Sequence, residues 1–126
     1  RWTPCAAHVP CAVRAFALER ILANLLDNAR RYGGGREIGV ECERGRDQVV
    51  IRVLDSGPGI PEAEREAVFR PFHRLEPARS AAGGGSGLGL TIARQLADAN
   101  HWSIAIDARP GGGTITTVRI TCAVPA

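Results

Sequence analysis

The order in which helical and strand-like patterns follow one another most constrains what this chain can fold into. Residues 13–32 place Leu18, Ile21, Leu22, Leu25, Leu26, Ala29 and Tyr32 at three- and four-residue spacing, which predicts an amphipathic helix. Gly33, Gly34 and Gly35 then stop it. Residues 36–42 alternate, with Ile38, Val40 and Cys42 set against Glu37, Gly39 and Glu41, as in a half-buried strand. "QVVIRVL", residues 48–54, predicts a second and more central strand, joined to the first by "RGRD" as a hairpin. A short helix is expected at 62–68, behind Pro61 at a favoured first helical position. Residues 70–86 have no clear period and finish in "AAGGGSG", and structureless loops beyond ~12–15 residues are usually lids or disordered segments. "GLGLTIARQLADA", residues 87–99, predicts a helix with Leu88, Ile92 and Leu96 on one stripe. Strands near 103–108 and 114–122 follow, joined by "RPGGG". Hairpin-linked strands imply a mainly antiparallel sheet, and both helical segments would cover one face of it. The expected class is α+β: a two-layer α/β sandwich forming one domain over residues 1–126.

Composition narrows the function classes. Apolar residues make up 44% and charged residues 23%, ordinary for a globular fold. No apolar run approaches the ~20 residues that span a bilayer. The net charge of +3 is small and dispersed, so it does not argue for nucleic acid. The chain starts at Arg1 and contains no Met, so it is expected to be a piece of a longer protein or a processed one. Cys5, Cys11, Cys42 and Cys122 form no CxxC and no zinc spacing. Cys42 and Cys122 lie in apolar strand-like runs and are expected to be small buried hydrophobes of a reduced chain, although the even count could form two disulfides.

Chemistry concentrates in a few stretches. In "NLLDN", residues 24–28, and the arginine after it, Asn24, Asn28 and Arg31 fall within roughly 60° of one another on a helix, at the edge of the apolar stripe. Two amides and a guanidinium there suit a polar groove, and an Asn oxygen is a hard ligand fit for magnesium with phosphate and water. They equally suit a polar helix flank with one salt-bridging arginine. In "DSGPGIP", Gly57 and Gly59 permit positive φ and close backbone approach, while Asp55 ends a buried strand and can accept from an amino group. Asp55 bonding its own backbone in a strand-ending turn is the alternative. "GGGSGLGL", residues 83–90, opens into a helix and offers free N–H groups to phosphate, although it lacks the G-K-[ST] of a Walker loop and follows no strand.

Taken in order, "NARRYG", "DSGPGIP", "PFHR" and "GSGLGLTIARQL" resemble the ATP-binding catalytic domain of sensor histidine kinases, in particular the osmosensor-like ones. The resemblance covers about residues 13–124 and implies the Bergerat-type sandwich shared with gyrase-type and heat-shock-chaperone ATPases, with an ATP lid at about 70–86. It implies that Asn28 gives its oxygen to Mg²⁺, that Asn24 lies beside the phosphates, that Arg31 contacts phosphate and that Tyr32 packs on adenine. Asp55 would accept the adenine amine, Gly57 and Gly59 would make room, and Ile60 would form an apolar wall. Phe69 and Phe72 would anchor the lid, and Arg74 and Arg79 would reach the γ-phosphate. Gly85, Gly87 and Gly89 would wrap the triphosphate, Leu88 and Leu90 would pin the helix, and Thr114 would lie near the adenine. Asn24, Arg31, Arg74 and Arg79 are the residues assigned catalytic roles.

In the related ATPases a glutamate stands at the place of Asn24 and activates water. An amide accepts no proton at neutral pH, so the resemblance implies a site that holds ATP rather than hydrolysing it rapidly. None of His8, His73 and His101 sits in a helix with the family's acceptor pattern, so the acceptor is expected on an upstream dimerisation domain. The resemblance further implies a response-regulator partner, a monomeric fragment of a homodimeric parent, and a cytoplasmic domain of a protein in the bacterial inner membrane. "HWSI", residues 101–104, departs from the family's usual glycine pair or Asn-Gly, and bulky Trp102 is expected to change the local connection. A same-fold serine kinase of an anti-sigma antagonist and a non-catalytic ATP-binding module are the alternative functions.

Overall fold

The computed structural model describes residues 3–4, 15–32, 37–71 and 88–121. In chain order the elements are β1 (Thr3–Pro4), α1 (Ala15–Tyr32), β2 (Gly39–Arg44), β3 (Gln48–Asp55), two 3-10 turns (Glu62–Glu64 and Ala67–Phe69), α2 (Gly89–Ala99), β4 (Ser103–Ala108) and β5 (Thr114–Thr121). The strands form one sheet in the order β1-β2-β3-β5-β4, and every described ladder is antiparallel. The two expected hairpins are present, with β3 and β5 zipped together between them. β1 was not anticipated; it adds a short edge strand beside β2.

β3 is the central strand because it can be buried on both faces. Val49, Ile51 and Val53 point into the helix-covered core, and Val50 and Leu54 on the opposite face are also buried. Register follows from this: Ile51 stands between Cys42 and Val118, and Asp55 stands opposite Thr114. From α1 the core receives Ala17, Ile21, Leu25 and Ala29, with Leu18, Leu22 and Leu26 at its margins. Each large aliphatic side chain so buried contributes about 1.5–3 kcal/mol. Val40, expected to face inward, is 56% exposed. It lies on β2, whereas α1 packs on β3.

α2 turns a different face inward than its leucine spacing predicts. Leu90, Thr91, Ala93 and Ala97 are buried, while Leu88, Ile92 and Leu96 are only partly covered. Small Ala93 and Ala97 let α2 approach α1 closely, and the leucines fill the flanks. The expected helix at 62–68 is instead the pair of 3-10 turns. The N–H groups of Glu64, Arg65, Phe69 and Arg70 each bond the carbonyl three residues back, so no α-helical turn is established.

The connection after α2 holds the bulky Trp102 without strain on it. His101 takes the left-handed conformation (φ 61°), donates its N–H to Asp98 (3.1 Å), and the Trp102 N–H reaches Ala97 (2.8 Å). That is a Schellman closure, with histidine where glycine is usual. Trp102 follows the tight position and is buried in the core. Cys42 also differs from expectation: it is half-buried and disulfide-bonded rather than a free thiol. No described helix is long and apolar enough to cross a membrane.

Candidate functional site

Asp55 is the last residue of β3, and its side chain is on the helix-covered face beside Thr114 of β5; both are buried. One carboxylate oxygen, Oδ1, accepts the Gly57 N–H at 2.9 Å, closing an Asx turn. The strand-ending turn and the acceptor role are therefore compatible, because Oδ2 has no donor among the described residues. Gly59 takes a φ of +83°, as expected, but Gly57 does not need positive φ. Ile60 follows, partly buried against the core.

The β4–β5 turn packs on this same corner. Arg109 and Gly113 close it through the Arg109 N–H to the Gly113 carbonyl (3.1 Å) and the Gly112 N–H to the Arg109 carbonyl (2.9 Å). Gly113, at φ +111°, lies so close to the Asp55 carbonyl that a Cβ has no room. The Arg109 guanidinium donates from Nη1 to the Asp55 carbonyl (3.2 Å) and the Ser56 hydroxyl (3.1 Å). Sequence reasoning missed Arg109, Ser56 and Gly113. Three glycines directly before Thr114 were the one available signal, and they were read only as a hairpin connection.

The second half of the site is the seam between α1 and α2. A Cβ at Gly89 would stand 3.7 Å from the Asn24 Oδ1, so Asn24 abuts the first turn of α2. Among the described residues that turn has no side-chain cap, and it has no acidic residue of its own to oppose the positive end of the helix dipole. Asn24 Nδ2 is buried and has no acceptor among the described residues. Asn28 is half-buried one helical turn further on. Arg31 is on the exposed side of the same flank, paired with Asp27 at 2.9 Å. Leu90 is buried and Leu88 partly so, anchoring the start of α2.

Topology brings the two halves to one end of the molecule. α2 ends at the Trp102 turn, β4 begins at Ser103, and α2 packs back on β4. Its N-terminus therefore points toward the sheet end that holds Ala108, Thr114 and Asp55. A latch joins the chain before and after residues 72–87. The Thr91 hydroxyl donates to the Phe69 carbonyl at 2.7 Å, and Arg94 stacks 4.5 Å from the Phe69 ring while pairing with Glu66 at 3.3 Å. Phe69, expected to help anchor a lid, is buried. Phe72, Arg74, Arg79, Gly85 and Gly87 lie outside the described residues, as does the side chain of Tyr32.

Helices on one face of an antiparallel sheet, with an Asp at a strand end and the Asn24 amide beside a helix N-terminus, are compatible with a nucleotide-binding domain. The comparisons agree: the chain belongs to the histidine kinase-, DNA gyrase B- and HSP90-like ATPase family, whose model matches residues 14–124. It is 43% identical over 111 residues to the sensor protein KdpD of Mycobacterium tuberculosis, covering 88% of this chain and 12% of that protein. The mycobacterial sensor histidine kinase MprB superposes with a TM-score of 0.74 at 28% identity, over 90% of this chain and 75% of that one. The catalytic domain of histidine kinase ThkA does so with a TM-score of 0.72 at 28% identity, over 86% and 68%. The domain is of the histidine-kinase type, and it spans about an eighth of the curated KdpD relative.

Proposed function

We propose that this chain holds ATP with Mg²⁺ and presents the γ-phosphoryl group to a histidine on a dimerisation domain outside the chain. The observation that carries this is the buried Asn24 Nδ2, without an acceptor among the described residues, beside the first turn of α2. A buried, unpaired donor costs about 1–3 kcal/mol, which a phosphate oxygen would offset while also meeting N–H groups of the first turn of the helix. At the other corner, Oδ2 of buried Asp55, which has no donor among the described residues, would accept an exocyclic amine such as that of adenine.

The residues present also fit a magnesium ion. Among the described residues no group of three His, Cys, Asp or Glu side chains forms a protein cage. A magnesium ion held by the Asn28 amide oxygen would take its remaining ligands from phosphate and water, the usual arrangement for this ion. Bound there, it would neutralise phosphate charge during transfer. Asn24 has no basicity at neutral pH and does not activate water, so the site favours retention of ATP over hydrolysis. Arg31 can turn to phosphate cheaply, because its exposed pair with Asp27 is worth at most about 1 kcal/mol. Arg74 and Arg79 are proposed for the γ-phosphate. His101, whose backbone closes the turn after α2, is assigned a structural role, and the acceptor is placed outside the chain. A response regulator, a homodimeric parent and attachment of that parent to the bacterial inner membrane belong to the same proposal.

Calorimetry with a non-hydrolysable ATP analogue, with and without Mg²⁺, tests it. Asn28→Ala should abolish the Mg²⁺-dependent part of binding; unchanged affinity would remove Asn28 as the ligand. Absence of binding by the unmodified chain would overturn the nucleotide reading itself.

A further inference from the structure

We propose that Arg109 is a positioning residue that sets base specificity by fixing the backbone from which Asp55 is presented. The inference rests on the reading of Asp55 as the acceptor for the base. Arg109 is far from Asp55 and Ser56 in the chain, yet a single nitrogen, Nη1, donates to both the Asp55 carbonyl and the Ser56 hydroxyl. These are the last residue of β3 and the first residue beyond its ladder, where sheet pairing no longer holds the chain. The donor is itself held, since Arg109 bonds Gly113 and Gly112 through its own N–H and carbonyl.

The orientation of the Asp55 carboxylate depends on that backbone. Oδ1 is tied to the Gly57 N–H, so the direction of Oδ2 is set by the course of residues 55–57. Arg109 and the close approach of Gly113 hold that course from the side of the β4–β5 turn. Without the guanidinium the Asx turn can still form but is free to tilt. Oδ2 would then no longer meet the amine at a good angle, and hydrogen bonds weaken steeply with misalignment. Phosphate binding at Asn24 and the α2 N-terminus has no contact with Arg109 and should be spared.

The test measures binding of ADP, GDP and tripolyphosphate, each with Mg²⁺, to the unmodified chain and to Arg109→Ala, Arg109→Lys, Ser56→Ala and Asp55→Asn. Arg109→Ala should weaken ADP about tenfold, the equivalent of one net hydrogen bond, with GDP and tripolyphosphate nearly unchanged. Arg109→Lys should restore part of the ADP preference, since an ammonium on a long stem can reach one of the two acceptors. Ser56→Ala leaves the bond to the Asp55 carbonyl and should lose a smaller part of the preference; it also serves if Arg109→Ala does not fold. Equal losses for all ligands, or an unchanged ratio of ADP to GDP affinity, would overturn the role of Arg109. If Asp55→Asn leaves that ratio intact, the base-reading role of Asp55 fails and the inference falls with it. If Asp55→Asn collapses the ratio and Arg109→Ala does not, only the inference about Arg109 fails.

Discussion

Gly113→Ala tests how closely the β4–β5 turn approaches the end of β3. Gly113 has φ +111°, a region where a residue bearing a Cβ is held at a cost of about 1–3 kcal/mol. The new methyl group would also stand 2.9 Å from the Asp55 carbonyl carbon, 3.0 Å from the Ser56 Cα, and closer still to the Asp55 carbonyl oxygen. All three are backbone atoms of another segment, so relief requires moving the turn or the strand end. Overpacking of this kind adds about 1–3 kcal/mol. The sum, about 2–6 kcal/mol, is a large part of the ~5–15 kcal/mol that stabilises a typical domain. Gly111→Ala is the control. Gly111 has φ +89° but no heavy atom within 4 Å of its would-be Cβ, so it carries the conformational cost alone. Urea unfolding should show both midpoints lowered at constant slope, with Gly113→Ala the more destabilised by about 1–3 kcal/mol. Losses equal to within about 0.5 kcal/mol would refute the close approach.

His101→Gly should stabilise the domain by about 1 kcal/mol, because glycine takes the left-handed position after α2 without the Cβ penalty, less its larger unfolded-state entropy. A rise of a few degrees in the thermal midpoint checks it, and a fall would contradict the Schellman closure. Thr91→Val keeps the shape of the buried side chain but leaves the Phe69 carbonyl without its 2.7 Å donor. It should cost about 1–3 kcal/mol in denaturant unfolding, and a neutral result would show that the latch contributes nothing.

The helices and the two hairpins were legible because their periodicity reflects one repeated physical demand, an apolar face against a core. Ile21, Leu25 and Ala29 announce the inner face of α1, and the β-branched run from Val49 to Val53 announces a strand buried on both sides. The same reasoning misled where small residues make the contact. In α2 the leucines draw the eye, but Ala93 and Ala97 face inward because close helix packing rewards their size. The turns after Pro61 have no period long enough to separate one 3-10 bond from a helix. At the candidate site, residue type and spacing leave Asn24, Asn28 and Asp55 open between a polar groove and ordinary flanks or turns, and it is motif order, through the resemblance, that singles them out; the structure brings Asn24 to Gly89 and Asp55 to Thr114.

By itself, then, the sequence determined the class of fold, the order of its elements and which short motifs carry polar chemistry, since these depend on local spacing and on motif order along the chain. Only the tertiary structure decided that Asn24 Nδ2 is buried without an acceptor among the described residues, and that Arg109 and Gly113 bear on Asp55. Burial and pairing depend on segments distant in the chain, and β3 meets the β4–β5 turn only after β5 has inserted between β3 and β4.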